Sequence, residues 1–129
     1  MSDIRAGTIS DAAGTGPITM TKQSPAKAWV NFNGETVTSS NDMTGVRDSF
    51  NVSGIVDNSA GNYTVYYSNN MLNNGYSPSG WANGSGYANA FATGGGIPAT
   101  SSIIVRSNNS AFDATDSNVV CLSVNGDLA

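Results

Sequence analysis

The sequence predicts an all-β fold: an antiparallel β-sandwich or barrel-like domain of about six to eight short strands, preceded by an extended N-terminal arm. Three observations carry that expectation. Valine, isoleucine and aromatic residues fall in short alternating runs, the period of a half-buried strand. Clusters of Gly, Asn, Asp and Ser separate the runs at roughly ten-residue intervals, the spacing of sandwiches and small barrels. Helix signals are nearly absent: Lys22 to Trp29 holds fair helix formers, but Ser24 and Pro25 limit a helix there to about one turn.

The runs follow one another along the chain. Ala28 to Asn33 alternates, with Ala28, Val30 and Phe32 on one face and Trp29, Asn31 and Asn33 on the other; Asn33-Gly34 supplies a turn. Val46 to Val52 alternates again, which places Val46, Phe50 and Val52 on the face of Asp48, opposite Arg47, Ser49 and Asn51. Ile55 and Val56 extend that strand past a bulge at Gly54. Asp57 to Asn62 is a turn cluster at hairpin length, and Asn62 to Ser68 puts Tyr63, Val65 and Tyr67 on one side. Tyr76 to Tyr87 reads as a long loop or an irregular strand pair. Ala88 to Ala92, Ser102 to Arg106 and Val119 to Asn125 are three further strands, parted by Thr93-Gly94-Gly95-Gly96 and Asn108-Asn109-Ser110. Residues 1–21 lack a sustained period and large apolar groups, so they form the arm, and residues 22–129 form a single β domain.

Composition narrows the function. Charged residues are 11% of the chain, against roughly 25% in an average soluble domain, while Gly, Ser, Thr and Asn make up nearly half of it. A net charge of −4, with Arg5, Lys22, Lys27, Arg47 and Arg106 scattered, argues against nucleic acid as a partner. No apolar stretch approaches the ~18 residues of a membrane helix. The opening residues Met1 to Arg5 lack the apolar core of a secretory signal, which implies synthesis and folding in a cytoplasm. The sequons at Asn51, Asn62 and Asn83 are then chance products of composition, and Cys121, alone in the chain, is a small buried or half-buried side chain without a disulfide partner.

Most catalytic chemistry is excluded by what is missing. With no histidine, triads built on an imidazole base cannot be assembled, and one cysteine cannot make an ordinary zinc site. Two-carboxylate glycoside hydrolysis would have to draw on Asp42, Asp48, Asp57, Asp113 and Asp116, most of them in turns, where an aspartate ordinarily caps its own backbone. Asp113, Asp116 and Asn118 do not match the spacing of a calcium loop, and Gly94-Gly95-Gly96 lacks the Lys-Ser/Thr and helix of a phosphate loop. The expectation is a protein that is not an enzyme and needs no cofactor or metal. Aromatics carry what binding function there is. Tyr76, Trp81 and Tyr87 lie in a Gly/Ser/Asn-rich stretch similar in composition to antibody contact loops, and flat rings flanked by Asn and Asp are what sugar rings stack on. Trp29, opposite the Val30/Phe32 face, marks either a covered second face or a contact surface. Two-sided burial in so short a chain is most easily achieved by oligomerisation.

Three segments carry a family likeness. Gly16 to Gly34, with Thr21-Lys22-Gln23-Ser24-Pro25-Ala26-Lys27-Ala28-Trp29 and Val30-Asn31-Phe32-Asn33-Gly34, resembles a TKQSAAKAW-VNFNG element of tail-fibre and other virion surface proteins of tailed, often marine, bacteriophages. Val46 to Ser53 resembles the IRDSFNVSSI segment of those proteins, and Asp57 to Val65 their ITDNGTGDYTVNF. Thr8 to Gly16 resembles a phrase near the start of many of them. The likeness covers about half the chain, residues 8–68, and brings no catalytic residues with it.

The resemblance implies a non-enzymatic structural protein on the virion surface. Because fibre proteins of this kind are often much longer, it favours a homo-oligomeric, trimeric capsid decoration (cement) protein, with a short tail-fibre or adhesin head binding host surface glycans through Tyr76, Trp81 and Tyr87 as the alternative. The expected partners are further copies of the chain, the major capsid or a tail protein of the same particle, and host glycan, with Ile4, Arg5, Ile9 and Ile18 of the arm as docking residues.

Overall fold

The computed structural model describes residues 25–84, 87–94 and 97–129, with backbone alone over 84–93. It is all-β, with eight strands among the described residues: β1 (Ala28–Phe32), β2 (Val46–Phe50), β3 (Val52–Ser59), β4 (Asn62–Tyr67), β5 (Ser77–Gly84), β6 (Tyr87–Gly94), β7 (Ser102–Asn108) and β8 (Val119–Asn125). All pairings are antiparallel, in the order β2-β1-β8-β5-β6-β7-β4-β3. Strand β6 turns the corner between the two sheets. Its first residues, Tyr87 to Asn89, pair with β5; Ala90 to Gly94 pair with β7. One sheet is thus β2-β1-β8-β5 and the other β7-β4-β3.

The alternation read from the sequence is the alternation of burial. Ala28, Val30 and Phe32 of β1, Val120, Leu122 and Val124 of β8, Tyr63, Val65 and Tyr67 of β4, and Ile103 and Val105 of β7 all point between the sheets. Phe32 and Tyr63 meet edge to face across the core, with ring centroids 5.2 Å apart, a favoured aromatic geometry.

The two outermost strands of the order, β2 and β3, are neighbours in the chain. Val46 to Val52 is therefore not one strand. Asn51, at φ 55°, breaks it and swings the chain from the first sheet to the second. A register shift opposite Asn31/Phe32 adds a bulge at Arg47, so Val46 packs toward the core while Asp48 and Phe50 face out, Phe50 being 52% exposed. Simple alternation placed Val46, Phe50 and Val52 together; the bulge and the corner keep Val46 and Val52 toward the core and turn Phe50 out. The bulge expected at Gly54 is present.

The seam between β2 and β3 is bridged at its far end by the β1–β2 loop. The Ile55 N–H donates to the Asp42 carbonyl at 2.8 Å, and the Asp57 N–H to Thr38 at 2.8 Å. These bonds cover the free edge of β3, where an open strand would invite pairing with other chains. Tyr76 to Tyr87 contains a regular strand, because β5 runs in unbroken register with β8 from Ser77↔Asn125 to Asn83↔Val119. Its inward residues, Pro78, Gly80 and Ala82, have too little apolar bulk to show a period in the sequence.

Candidate functional site

Asp42, Asp48 and Asp116 accept hydrogen bonds within the fold. Asp42 accepts from the Thr44 N–H at 2.7 Å and from Thr38 Oγ1 at 3.2 Å, which hold its pKa below the ordinary value. Asp48 accepts from the Ser49 N–H. Asp116 joins the β7–β8 loop to the β3–β4 hairpin: its Oδ1 accepts from the Gly61 N–H and from Tyr63 Oη, both at 2.7 Å. Burial first, then Asp116, raises the Tyr63 pKa far above the phenol value. Burial and the charge of Asp116 likewise raise the pKa of Asp57, whose Oδ1 is enclosed without a hydrogen-bond partner among the described residues. No group of three His, Cys, Asp or Glu side chains is placed to hold a metal ion among the described residues. A cavity of about 120 Å³ beside the β6–β7 loop, lined by Gly94, Ile97, Pro98, Ala99, Ser102 and Ile104, is well below the ~300 Å³ of small ligand pockets.

The aromatic residues divide differently. Tyr76 is 7% exposed. Its hydroxyl donates toward the carbonyls of Ala99 (2.9 Å) and Ser102 (3.1 Å), and its ring stands edge-on to Tyr67, so it plugs one end of the sandwich and offers no stacking face. Tyr87 lies in β6 opposite Gly84, and its side chain falls outside the described residues, as do Ile4, Arg5, Ile9 and Ile18 of the arm. Trp81 is 53% exposed. The structure thus does not bring Tyr76 and Trp81 to one surface.

What it brings together instead is the outer face of the first sheet. Register aligns Phe50, Trp29, Ser123 and Ser79 in one row across β2, β1, β8 and β5, and Asp48, Asn31, Cys121 and Trp81 in the next. All are outward positions, because their neighbours Val30, Leu122 and Ala82 are buried. Small side chains of β8 and β5 therefore lie between Trp29 with Phe50 on one side and Trp81 on the other. Arg47, freed by the bulge, lies across the sheet: it donates to Asn31 Oδ1 at 3.2 Å and to the Asn118 carbonyl at 2.6 Å. Burial raises the Cys121 pKa, and nearby Arg47 partly offsets that. Alternation was enough to mark Trp29 as outward. Phe50 was hidden by the bulge, which no sequence signal located.

No family model matches the chain, and neither does any curated protein or solved structure. Among the described residues no helix is long and apolar enough to cross a membrane.

Proposed function

We propose that this chain is a non-enzymatic structural subunit on the surface of a tailed-bacteriophage particle, and specifically a homo-oligomeric, trimeric capsid decoration protein. The observation that carries the reading is the use made of the polar side chains. They staple loops to strands: Asn51 ties the β2–β3 corner to Lys27 and Asn69, Asp116 ties the hairpin to the β7–β8 loop, and Ser107 donates to the Thr115 carbonyl at 2.6 Å. Such a domain is held by side-chain hydrogen bonds, mostly from neutral groups, and a two-sheet core, which suits a shell component outside a cell. The resemblance of residues 8–68 to virion surface proteins supports the same reading. Exposed apolar side chains at both ends of the sandwich, Leu72 and Ile97 at one and Met43 and Phe112 at the other, offer contact points for neighbouring copies.

The test is the protein composition of purified particles. A few tenths of a copy or more per major capsid subunit supports a head-decoration protein. A few hundredths moves the chain to the tail, and absence from particles overturns the reading.

A further inference from the structure

We infer that the outer face of the first sheet is a binding trough for a neutral, unbranched hexopyranose saccharide, with Trp29 and Trp81 as its stacking walls. The register defines its shape. Trp29 and Trp81 are two strand spacings apart and offset by two residues, a diagonal of roughly 12 Å from sheet geometry. That is enough for a short sugar chain to touch both rings. Between them the small side chains of Ser123, Cys121 and Ser79 keep the floor low over β8 and β5, while Asn31, beside Cys121, and the Arg47 side chain bonded to it close one end. The Ser123 and Ser79 hydroxyls donate and accept, as a sugar's own hydroxyls require. Asn31 already accepts from Arg47, which fixes its amide and leaves its NH₂ to donate to a ligand.

Size and charge choose the occupant. A whole buried aromatic hides 150–250 Å², so Phe50 and Trp81, each about half exposed, offer roughly 200 Å². Each partner of a stable protein–protein interface contributes about 800 Å², so these two rings alone supply about a quarter of what a second copy would need. Arg47 is engaged within the sheet, Asp48 stands exposed at the end of one row, and the chain carries net charge −4. An acidic polysaccharide would be repelled. The inference stands apart from the particle reading, since saccharide binding and copy number are measured separately.

Both tryptophans of the chain are on this face, so intrinsic fluorescence reports on it directly. The intact 129-residue chain is titrated with cellohexaose, maltohexaose and a linear mannohexaose. At least one should give a saturable fluorescence change and move both indole N–H signals in the NMR spectrum, a readout that requires no variant. Trp29→Ala and Trp81→Ala should each weaken that binding about tenfold, the loss of one aromatic contact, with unchanged circular dichroism. Asn74→Ala, exposed in the β4–β5 loop away from this face, should leave it unchanged. The inference is overturned if no hexasaccharide saturates the signal, if Trp81→Ala binds as the parent does, or if Trp81→Ala changes the mass of the assembly, which would make the face a protein interface.

Discussion

Asn51 and Asn69 hold each other at the foot of the sandwich: Asn51 Oδ1 accepts from both the backbone N–H (2.7 Å) and the side-chain Nδ2 (3.2 Å) of Asn69, while Asn51 Nδ2 donates back to the Asn69 carbonyl at 3.0 Å. The same Nδ2 donates to the Lys27 carbonyl at 3.0 Å, and the Ser68 N–H donates to the Asn51 carbonyl. One amide thus joins the entry to β1, the corner between the sheets and the exit from β4. Asparagine suits the place twice over, because it tolerates the left-handed backbone and its amide has two donors and two acceptor sites to fill.

Asn51→Ala should therefore destabilise the fold by about 3 kcal/mol, from several hydrogen bonds at about 1 kcal/mol each plus the strain of an alanine at positive φ. Asn51→Gly loses the bonds but not the backbone fit, and should be the milder change by about 1 kcal/mol. Urea unfolding of the two variants separates the contributions. Equal losses would mean that the corner is held by packing and not by its conformation.

At the opposite end, Tyr63→Phe should cost about 2 kcal/mol, the range for a hydrogen bond to a charged group. Asp116→Asn should cost less, since an amide oxygen can still accept from Tyr63 and Gly61. A double-mutant cycle should show the two changes to be non-additive, as residues sharing a bond are. Additive effects would place the stabilisation elsewhere in the β7–β8 loop.

Gly34 lies directly against this node. Its N–H donates to the Ser117 carbonyl at 2.8 Å, and a Cβ there would run into Tyr63 Oη and stand 2.9 Å from the Ser117 oxygen. Gly34→Ala should destabilise by about 1–3 kcal/mol, as overpacking does, with a lowered thermal midpoint as the readout. An unchanged midpoint would show that the loop yields.

Much of the fold was legible because period two is enforced by burial. Val119 to Asn125 is β8 to the residue, and Ala28 to Phe32 shows the expected in–out pattern. What alternation cannot encode is a bulge or a corner: Arg47 and Asn51 each shift the phase, and Phe50 went to the wrong face as a result. The candidate site was half legible for the same reason. Trp81 was marked by its exposed-looking surroundings, but Tyr76, in the same composition five residues earlier and so of opposite parity, faces inward. Trp29 and Trp81 become neighbours on one face only through β8, a strand some forty residues or more from either in sequence.

Asp57 supplies a pH dependence whose sign follows from its surroundings. Its carboxyl is raised in the folded protein by burial and by the charge of Asp116, against a weaker pull from the Ser59 backbone, while in the unfolded chain it titrates near 3.9. The folded state then binds the proton more tightly than the unfolded state, so stability falls as pH rises between the two values and is level above them. The destabilisation is absent below the unfolded pKa and fully present at neutral pH. Asp57→Asn keeps an acceptor for the Ser59 backbone and carries no charge, so the variant should match the parent in urea near pH 3 and exceed it at pH 7. A difference of the same size at both values would trace the effect to packing, and a variant weaker at pH 7 would mean that the charged carboxylate is bound by a partner in the native fold.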